Sequence, residues 1–247
     1  MNTDRWLAFE RVERRYPTGV LALQGVDLRI DAQAFVSLLG PSGCGKSSLL
    51  RLAAGLDAPS AGRVQRGSDH IGFVFQEATL MPWASVLRNV ALPLTLQRRP
   101  RAEADAAARA ALDAVGLAEF AGAVPRELSG GMKMRAAIAR ALVTAPALLL
   151  LDEPFAALDE ITRFKLNEDL LALWQRHAFT ALFVTHSVYE AVYLSQRVVV
   201  MSARPGRIVR EIAIDAPYPR TAGFRATPRF NAWCVEVSQA LQEATDA

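Results

Sequence analysis

The 247 residues are 51% hydrophobic with a net charge of only +3, which suits one sizeable α/β core, or a core with a small subdomain, built without disulfides or metal. Basic residues are scattered apart from Arg98, Arg99 and Arg101 beside Pro100, and this excludes a nucleic-acid binder, which needs a broad basic patch. Cys44 and Cys234 fall in no disulfide or metal pattern and indicate a reducing compartment; no run reaches the ~18 apolar residues of a membrane span, and Met1–Glu10, with Asp4, Arg5 and Glu10 and no apolar centre, is expected not to be a secretion signal.

In chain order, Leu7–Val12 and Gly25–Ile30 read as strands, and Phe35–Leu39 is a short apolar strand ending at Gly40. A helix is expected from Gly45 to about Ala54, stopped by Gly55 with Pro59 beyond. Arg63–Gln65 and Ile71–Phe75 are strand-like, and a hairpin over the short interval Gly62–Gly72 is expected before Gln76. From about residue 77 to 144 the β signal fades. Val86–Leu96 is a helix interrupted near Pro93, alanine-rich Ala102–Val115 is a second, and Met132–Thr144 is a third ending before Pro146. Strand and helix then alternate through Leu148–Asp152, Ile161–Arg176, Thr180–Thr185, Val188–Ser195 and Arg197–Ser202. Such alternation predicts a parallel sheet with its ligand site at the strand C-termini. Arg207–Ile214 returns as a strand and Pro228–Ala244 closes as a helix.

Gly40-Pro41-Ser42-Gly43-Cys44-Gly45-Lys46-Ser47 fits G-x-x-x-x-G-K-[ST] in full, with Ser48 following it into the helix. Its glycines let backbone N–H groups wrap phosphate, Lys46 sets a positive charge beside the β- and γ-phosphates, and Ser47 offers a hydroxyl to Mg²⁺. A second glycine turn, Leu128-Ser129-Gly130-Gly131-Met132, also opens a helix, so it too can present N–H groups to phosphate. Two phosphate-facing helix starts in one chain suggest ATP held between two surfaces. The apolar strand Leu148–Leu151 ends on Asp152 and Glu153. Adjacent acids at a buried strand end need partners; Asp152 is placed to hold Mg²⁺ through water, and Glu153 suits a general base for the attacking water.

Three further residues each leave two readings open. Gln76 follows a strand, where its amide either ligates Mg²⁺ and orients water or is simply solvated. His186 follows the strand Thr180–Thr185 and either contacts a γ-phosphate or serves the fold. Asp159 lies beyond Pro154 and, read alone, caps the helix from Ile161.

These residues in this order resemble the ATP-binding cassette ATPases across nearly the whole chain. The resemblance implies an α/β fold, with a P-loop NTPase parallel-sheet core (about residues 1–76 and 145–247), an N-terminal antiparallel β subdomain and an inserted helical subdomain (about 77–144). It implies that Ser129, Gly130 and Gly131 touch the γ-phosphate bound on a second ATPase subunit. It assigns Gln76, Asp159 and His186 as the Q-loop, D-loop and switch residues, and sets Tyr16 where an aromatic ring stacks on adenine; by pattern alone Tyr16 is only an apolar residue before a turn. Leu80-Met81-Pro82-Trp83, Asn89–Pro93, Asp152–Arg163 and Arg204-Pro205-Gly206-Arg207 are similar to the nitrate, sulfonate and taurine importer ATPases, a group that also serves pyrimidine-type thiamin precursors.

That likeness implies ATP and Mg²⁺ as cofactors, two membrane-spanning permease subunits and an indirectly coupled substrate-binding protein as partners, and a peripheral place on the cytoplasmic face of the inner membrane. The Met81–Trp83 turn is then expected to dock on the permease, against the alternative that Trp83 is core. Met132, Lys133 and Met134 depart from residues common in the wider family, Met132 standing where many members carry Gln. The end at residue 247 is expected to leave little room for the regulatory domain that some importer ATPases carry. The alternative from another class is a soluble cassette ATPase in repair, translation or cluster assembly. Such proteins show paired cassettes or long coiled arms, and this chain has neither pattern.

Overall fold

The computed structural model describes residues 5–246; the reading of the N-terminus as leader-free rests partly on residues 1–4, outside the described residues. The chain runs β1 (Arg5–Arg15), β2 (Leu21–Asp31), β3 (Phe35–Leu39), α1 (Lys46–Ala54), β4 (Ala61–Arg66) and β5 (Ile71–Val74). Three helices follow, α2 (Val86–Leu96), α3 (Arg101–Ala114) and α4 (Gly130–Leu142). Then come β6 (Leu148–Asp152), α5 (Glu160–His177), β7 (Thr180–Val184), α6 (Val188–Leu194), β8 (Arg197–Met201), β9 (Ile208–Ala213) and α7 (Pro228–Asp246).

The strands form two sheets. One is antiparallel in the order β2-β1-β4; the other runs β5-β6-β7-β3-β8-β9, parallel except for β9. The parallel strands are covered on both faces, which explains their unbroken apolar runs. Side-chain alternation divides the core in two. Leu149 and Leu151 of β6 face one cluster with Phe35, Phe183 and Val200; Leu148 and Leu150 face the other with Leu38, Leu182 and Val199. The first cluster takes in α2–α7, and the second joins α1 to Leu7, Phe9 and Leu23 of the antiparallel sheet. Full burial of each leucine is worth about 1.5–3 kcal/mol. The sheet is thus locked on both sides, and the loops at its C-terminal edge sit on a rigid base.

Two expectations need correction. The Gly62–Gly72 interval is not a hairpin: β4 pairs with β1 in the antiparallel sheet, while β5 pairs with β6 in the other. Residues 67–70 cross between the sheets, anchored where the Gly67 N–H donates to the Trp6 carbonyl at 2.7 Å and the Ala147 N–H to the His70 carbonyl at 2.9 Å. Nor does Pro93 interrupt α2, which continues to Leu96. Proline removes one N–H and crowds the preceding turn, but Val86, Val90 and Leu94 pack into the same core as Ala104, Ala108 and Leu112 of α3. That packing holds the last turn in place.

Candidate functional site

The phosphate loop follows from local geometry. β3 delivers the chain to Gly40, and α1 starts beyond Gly45, whose φ of 104° is costly for any residue with a Cβ. A side chain at Gly45 would also meet Leu23 Cδ2 at 2.7 Å and the Ala22 carbonyl at 2.9 Å. Lys46, the first residue of α1, is buried; its Nζ donates to the carbonyls of Gly40 at 2.8 Å and Pro41 at 3.0 Å. Nζ also lies 3.9 Å from Glu153 Oε1. The neighbouring Cys44 is buried, and burial pushes its thiol above the usual range.

Ser47 Oγ donates to Asp152 Oδ1 at 3.1 Å. Burial raises the Asp152 pKa, Ser47 and Lys46 oppose the shift, and the Glu153 charge adds to it. Two hard oxygen donors side by side fit Mg²⁺, which is held by one or two protein oxygens with waters and phosphate completing the octahedron. A denser cage is absent: among the described residues no three His, Cys, Asp or Glu side chains are grouped so as to hold a metal ion.

Glu153 stands one residue past β6 with φ 46°, directly before Pro154. A left-handed glutamate in front of proline costs about 1–3 kcal/mol. The surroundings enforce it, because the Glu153 N–H donates to the Val184 carbonyl at 3.0 Å and ties the turn to β7. The carboxylate is thereby aimed between two groups, with Oε2 3.2 Å from His186 Nδ1 and Oε1 facing Lys46. These contacts join residues that follow three neighbouring strands, β6, β7 and β3.

A cleft of about 350 Å³ opens at the loop, lined by Tyr16, Ser42, Gly43, Lys46, Glu153 and Arg204 among others, with Ser47 and Ser48 also in its lining. The Tyr16 hydroxyl shares a 2.9 Å hydrogen bond with Ser48 Oγ, and the Arg14 guanidinium lies 4.8 Å from the ring centre. Tyr16 is therefore a wall of the phosphate-loop cleft and more than an apolar residue before a turn. Gln76, exposed two residues beyond β5, does not line the cleft, nor do Asp152 and His186, which contact the lining residues Ser47 and Glu153.

Ser129, Gly130, Gly131 and Asp159 lie apart from this cleft. Ser129 caps α4, its Oγ accepting the Met132 N–H at 3.3 Å, and Asp159 caps α5, its Oδ1 accepting the Thr162 N–H at 2.9 Å. The hydrogen bond from Thr162 holds the Asp159 carboxyl below its ordinary value. The two caps adjoin: a methyl group at Gly130 would meet Leu158 at 3.3 Å, and Gly131 is buried against Thr162. Ser129 and Gly130 remain exposed.

One set of residues escaped the sequence reading. Glu190, on α6, is buried and accepts the Thr185 hydroxyl; Arg163 of α5 reaches it at 3.6 Å. Thr185 Oγ1 in turn accepts the Ser187 N–H at 3.0 Å, so both neighbours of His186 are fixed. Burial raises the Glu190 pKa. The available signal was Ser187 followed three residues later by Glu190, a capping-box spacing; Ser187 Oγ does accept the Glu190 N–H, at 3.3 Å.

The chain has relatives consistent with this geometry. An aliphatic sulfonates import ATP-binding protein of Pseudomonas syringae pv. syringae is 49% identical over 210 residues, covering 85% of this chain and 86% of that protein. A nitrate import ATP-binding protein of Synechocystis sp. is 45% identical over 237 residues, 90% of this chain and 89% of that one. Among solved structures, a Clostridium perfringens subunit described as part of an ABC transporter complex superposes with TM-score 0.78 at 29% identity, covering 85% of this chain and 89% of its own. A dimeric ATP-binding cassette bound to ADP and Pi in a post-hydrolysis state gives TM-score 0.75 at 33% identity, covering 85% of this chain and all of its own (100%). The chain matches the ABC transporter family over residues 23–156; with its phosphate loop, paired acids and cassette fold, it belongs to that family of ATPases.

Proposed function

We propose that two copies of this chain close on two ATP molecules and so drive the permease subunits of an importer. Each ATP is held between the Gly40–Ser47 loop of one copy and the Ser129–Gly131 turn of the other. The observation that carries this reading is a separation: within one chain Ser129 and Gly130 of the second glycine turn are exposed, and none of Ser129–Gly131 lines the cleft. That a cassette similar to this chain is dimeric with ADP and Pi bound supports the pairing of two copies.

In the closed site, Lys46 and the loop N–H groups bind the β- and γ-phosphates, and Tyr16 stacks on adenine. Ser47, and Asp152 through water, would hold Mg²⁺, whose charge would offset that of the phosphates. Glu153 takes the proton of the attacking water as the bond from the γ-phosphorus to the bridging oxygen breaks and ADP and phosphate form. His186 orients Glu153 and meets the γ-phosphate. Gln76 follows β5 into the connection to α2, where it is placed to report the nucleotide state to the helical segment 77–144. Asp159, at the exposed start of α5, faces the partner copy.

No helix among the described residues is long and apolar enough to cross a membrane, so the motion must be handed to other subunits. Trp83 is 79% exposed, which overturns its reading as core. It borders a cleft of about 510 Å³ with Met81, Arg88 and Leu92. We assign this turn as the permease contact, at the cytoplasmic face of the inner membrane, in a system served by a substrate-binding protein. The relatives' named cargoes, aliphatic sulfonates and nitrate, point to a small oxyanion, a class that includes the sulfonate taurine.

The test is complementation between Lys46→Ala and Ser129→Arg chains. If one ATP uses Lys46 of one copy and Ser129 of the other, mixing the two single variants leaves one intact site, and one nucleotide is trapped per mixed dimer. Mixing the double variant with the unaltered chain leaves none. The reverse pattern would place Lys46 and Ser129 of the same chain on one nucleotide and overturn the reading.

A further inference from the structure

Two cations reach the nucleotide cleft, and they differ in how they are paired. Lys46 has Glu153 at 3.9 Å. Arg204 lines the same cleft, and among the described residues no carboxylate stands within the 4.0 Å of an ion pair with it. Its Nε and Nη2 both donate to the Gly43 carbonyl, at 3.2 and 3.1 Å. A guanidinium has five N–H donors. The fork on Gly43 therefore uses two, fixes the group beside the phosphate loop and leaves the rest of an uncompensated charge for the cleft.

The strand order tells which end of the nucleotide it serves. Glu153 and His186 follow β6 and β7, on one side of β3 and its loop; Arg204 follows β8, on the other. The turn carrying Arg204 is stitched to β2 of the antiparallel sheet. Gly206 donates to the Ala22 carbonyl at 2.9 Å and accepts from the Gln24 N–H at 3.0 Å. A Cβ at Gly206 would collide with the Cys44 carbonyl, so the turn also rests directly on the phosphate loop. Arg204 thus sits on the phosphate loop at Gly43, in the cleft that Tyr16 also walls, and its strand lies on the opposite side of β3 from those that precede Glu153 and His186.

We propose that Arg204 is a nucleotide-binding residue whose guanidinium, braced on Gly43, donates to the α-phosphate end of the bound nucleotide. The inference rests on the ATP site described above, with Tyr16 at the adenine. It adds a contact common to ATP and ADP, one the γ-phosphate does not change. Charge-assisted hydrogen bonds of this kind are among the stronger polar contacts.

The experiment measures Mg-ATP and Mg-ADP affinity of the full chain for Arg204→Ala, Arg204→Lys and Arg204→Gln, with Lys46→Ala alongside. Arg204→Ala is expected to weaken ATP and ADP by the same factor, roughly tenfold. The loss should shrink in high salt, as a charge contact requires, and Arg204→Lys should recover part of it. Arg204→Gln, which keeps a donor for Gly43 without the charge, covers the case in which the alanine variant fails to fold; it should bind as weakly as the alanine variant. Unchanged affinity for both nucleotides, or a loss confined to ATP, would overturn the proposal. So would a salt-independent loss with a lowered Tm of the free chain, which marks a loop brace alone. If Lys46→Ala also leaves binding intact, the nucleotide-site reading itself fails; a silent Arg204 beside an impaired Lys46 variant sinks only this inference.

Discussion

His186 Nδ1 lies 3.2 Å from Glu153 Oε2, although 33 residues separate them in sequence. The pair forms because β6 and β7 are neighbours, and because the strained turn at Glu153 is tied to Val184 just before the histidine loop. The Glu153 carboxylate is held from one side by imidazole and from the other by Lys46, the fixed orientation that the proposed role of general base requires.

Glu153→Gln should therefore bind ATP while hydrolysing it about 10²- to 10⁴-fold more slowly. Phosphate release from the assembled transporter, with nucleotide binding measured in parallel, is the check. The amide preserves shape and removes only the basic site, so normal turnover would reject Glu153 as the base.

The Ser47–Asp152 contact is the proposed place for Mg²⁺. Ser47→Ala is expected to need roughly tenfold more Mg²⁺ for half-maximal hydrolysis, the scale of a lost charge-assisted hydrogen bond, and chelation should stop hydrolysis in the unaltered chain. A magnesium titration of ATPase rate decides it; an unshifted midpoint removes Ser47 from the metal site.

Glu190 makes a pH prediction. Its folded pKa is raised by burial, so the folded chain binds this proton more readily than the unfolded chain. The contribution to stability is then full below the unfolded glutamate value and is lost as pH rises through the raised folded value. Between those two values the unaltered chain should gain stability on acidification, and Glu190→Gln should flatten that slope. Denaturant midpoints across the weakly acidic range test this, and parallel curves for the two proteins would contradict it.

The Met81–Trp83 turn separates docking from folding. Asn89 is buried, accepts the Met81 N–H at 2.6 Å and donates to the carbonyls of Met81, Ala84 and Ser85 at 3.1–3.2 Å. Asn89→Ala should cost about 1–3 kcal/mol or more in unfolding free energy, since buried polar groups lose their partner. Trp83→Ala should change stability by only about 0.5 kcal/mol yet weaken capture of the permease subunits. Stability curves and co-purification distinguish the two; intact permease association in the Trp83 variant would exclude this turn as the contact.

Much of this molecule is legible from neighbouring residues alone. The phosphate loop needs only its glycines, Lys46 and Ser47 between an apolar strand and a helix. The caps at Ser129 and Asp159 need only a short polar side chain ahead of a helical run. The uninterrupted leucines of Leu148–Leu151 already require a strand covered on both faces, and with it an α/β sheet. Each of these is set within a few residues, by backbone geometry, hydrogen bonding or burial.

What the tertiary structure decided depends on strand order and burial, which local pattern does not carry. Only the placement of β8 beside β3 brings Arg204 to Gly43, 161 residues away in sequence. Only the packing of α5 and α6 reveals Glu190 as a buried acid beneath the histidine loop, and only side-chain exposure separates Trp83 from the core. Pro93 and the Gly62–Gly72 crossover belong with them: there the local preference for a break or a hairpin yields to packing between distant segments. The loop chemistry was written in sequence because neighbours suffice to make it, whereas the residues around that loop were assigned by the sheet that gathers them.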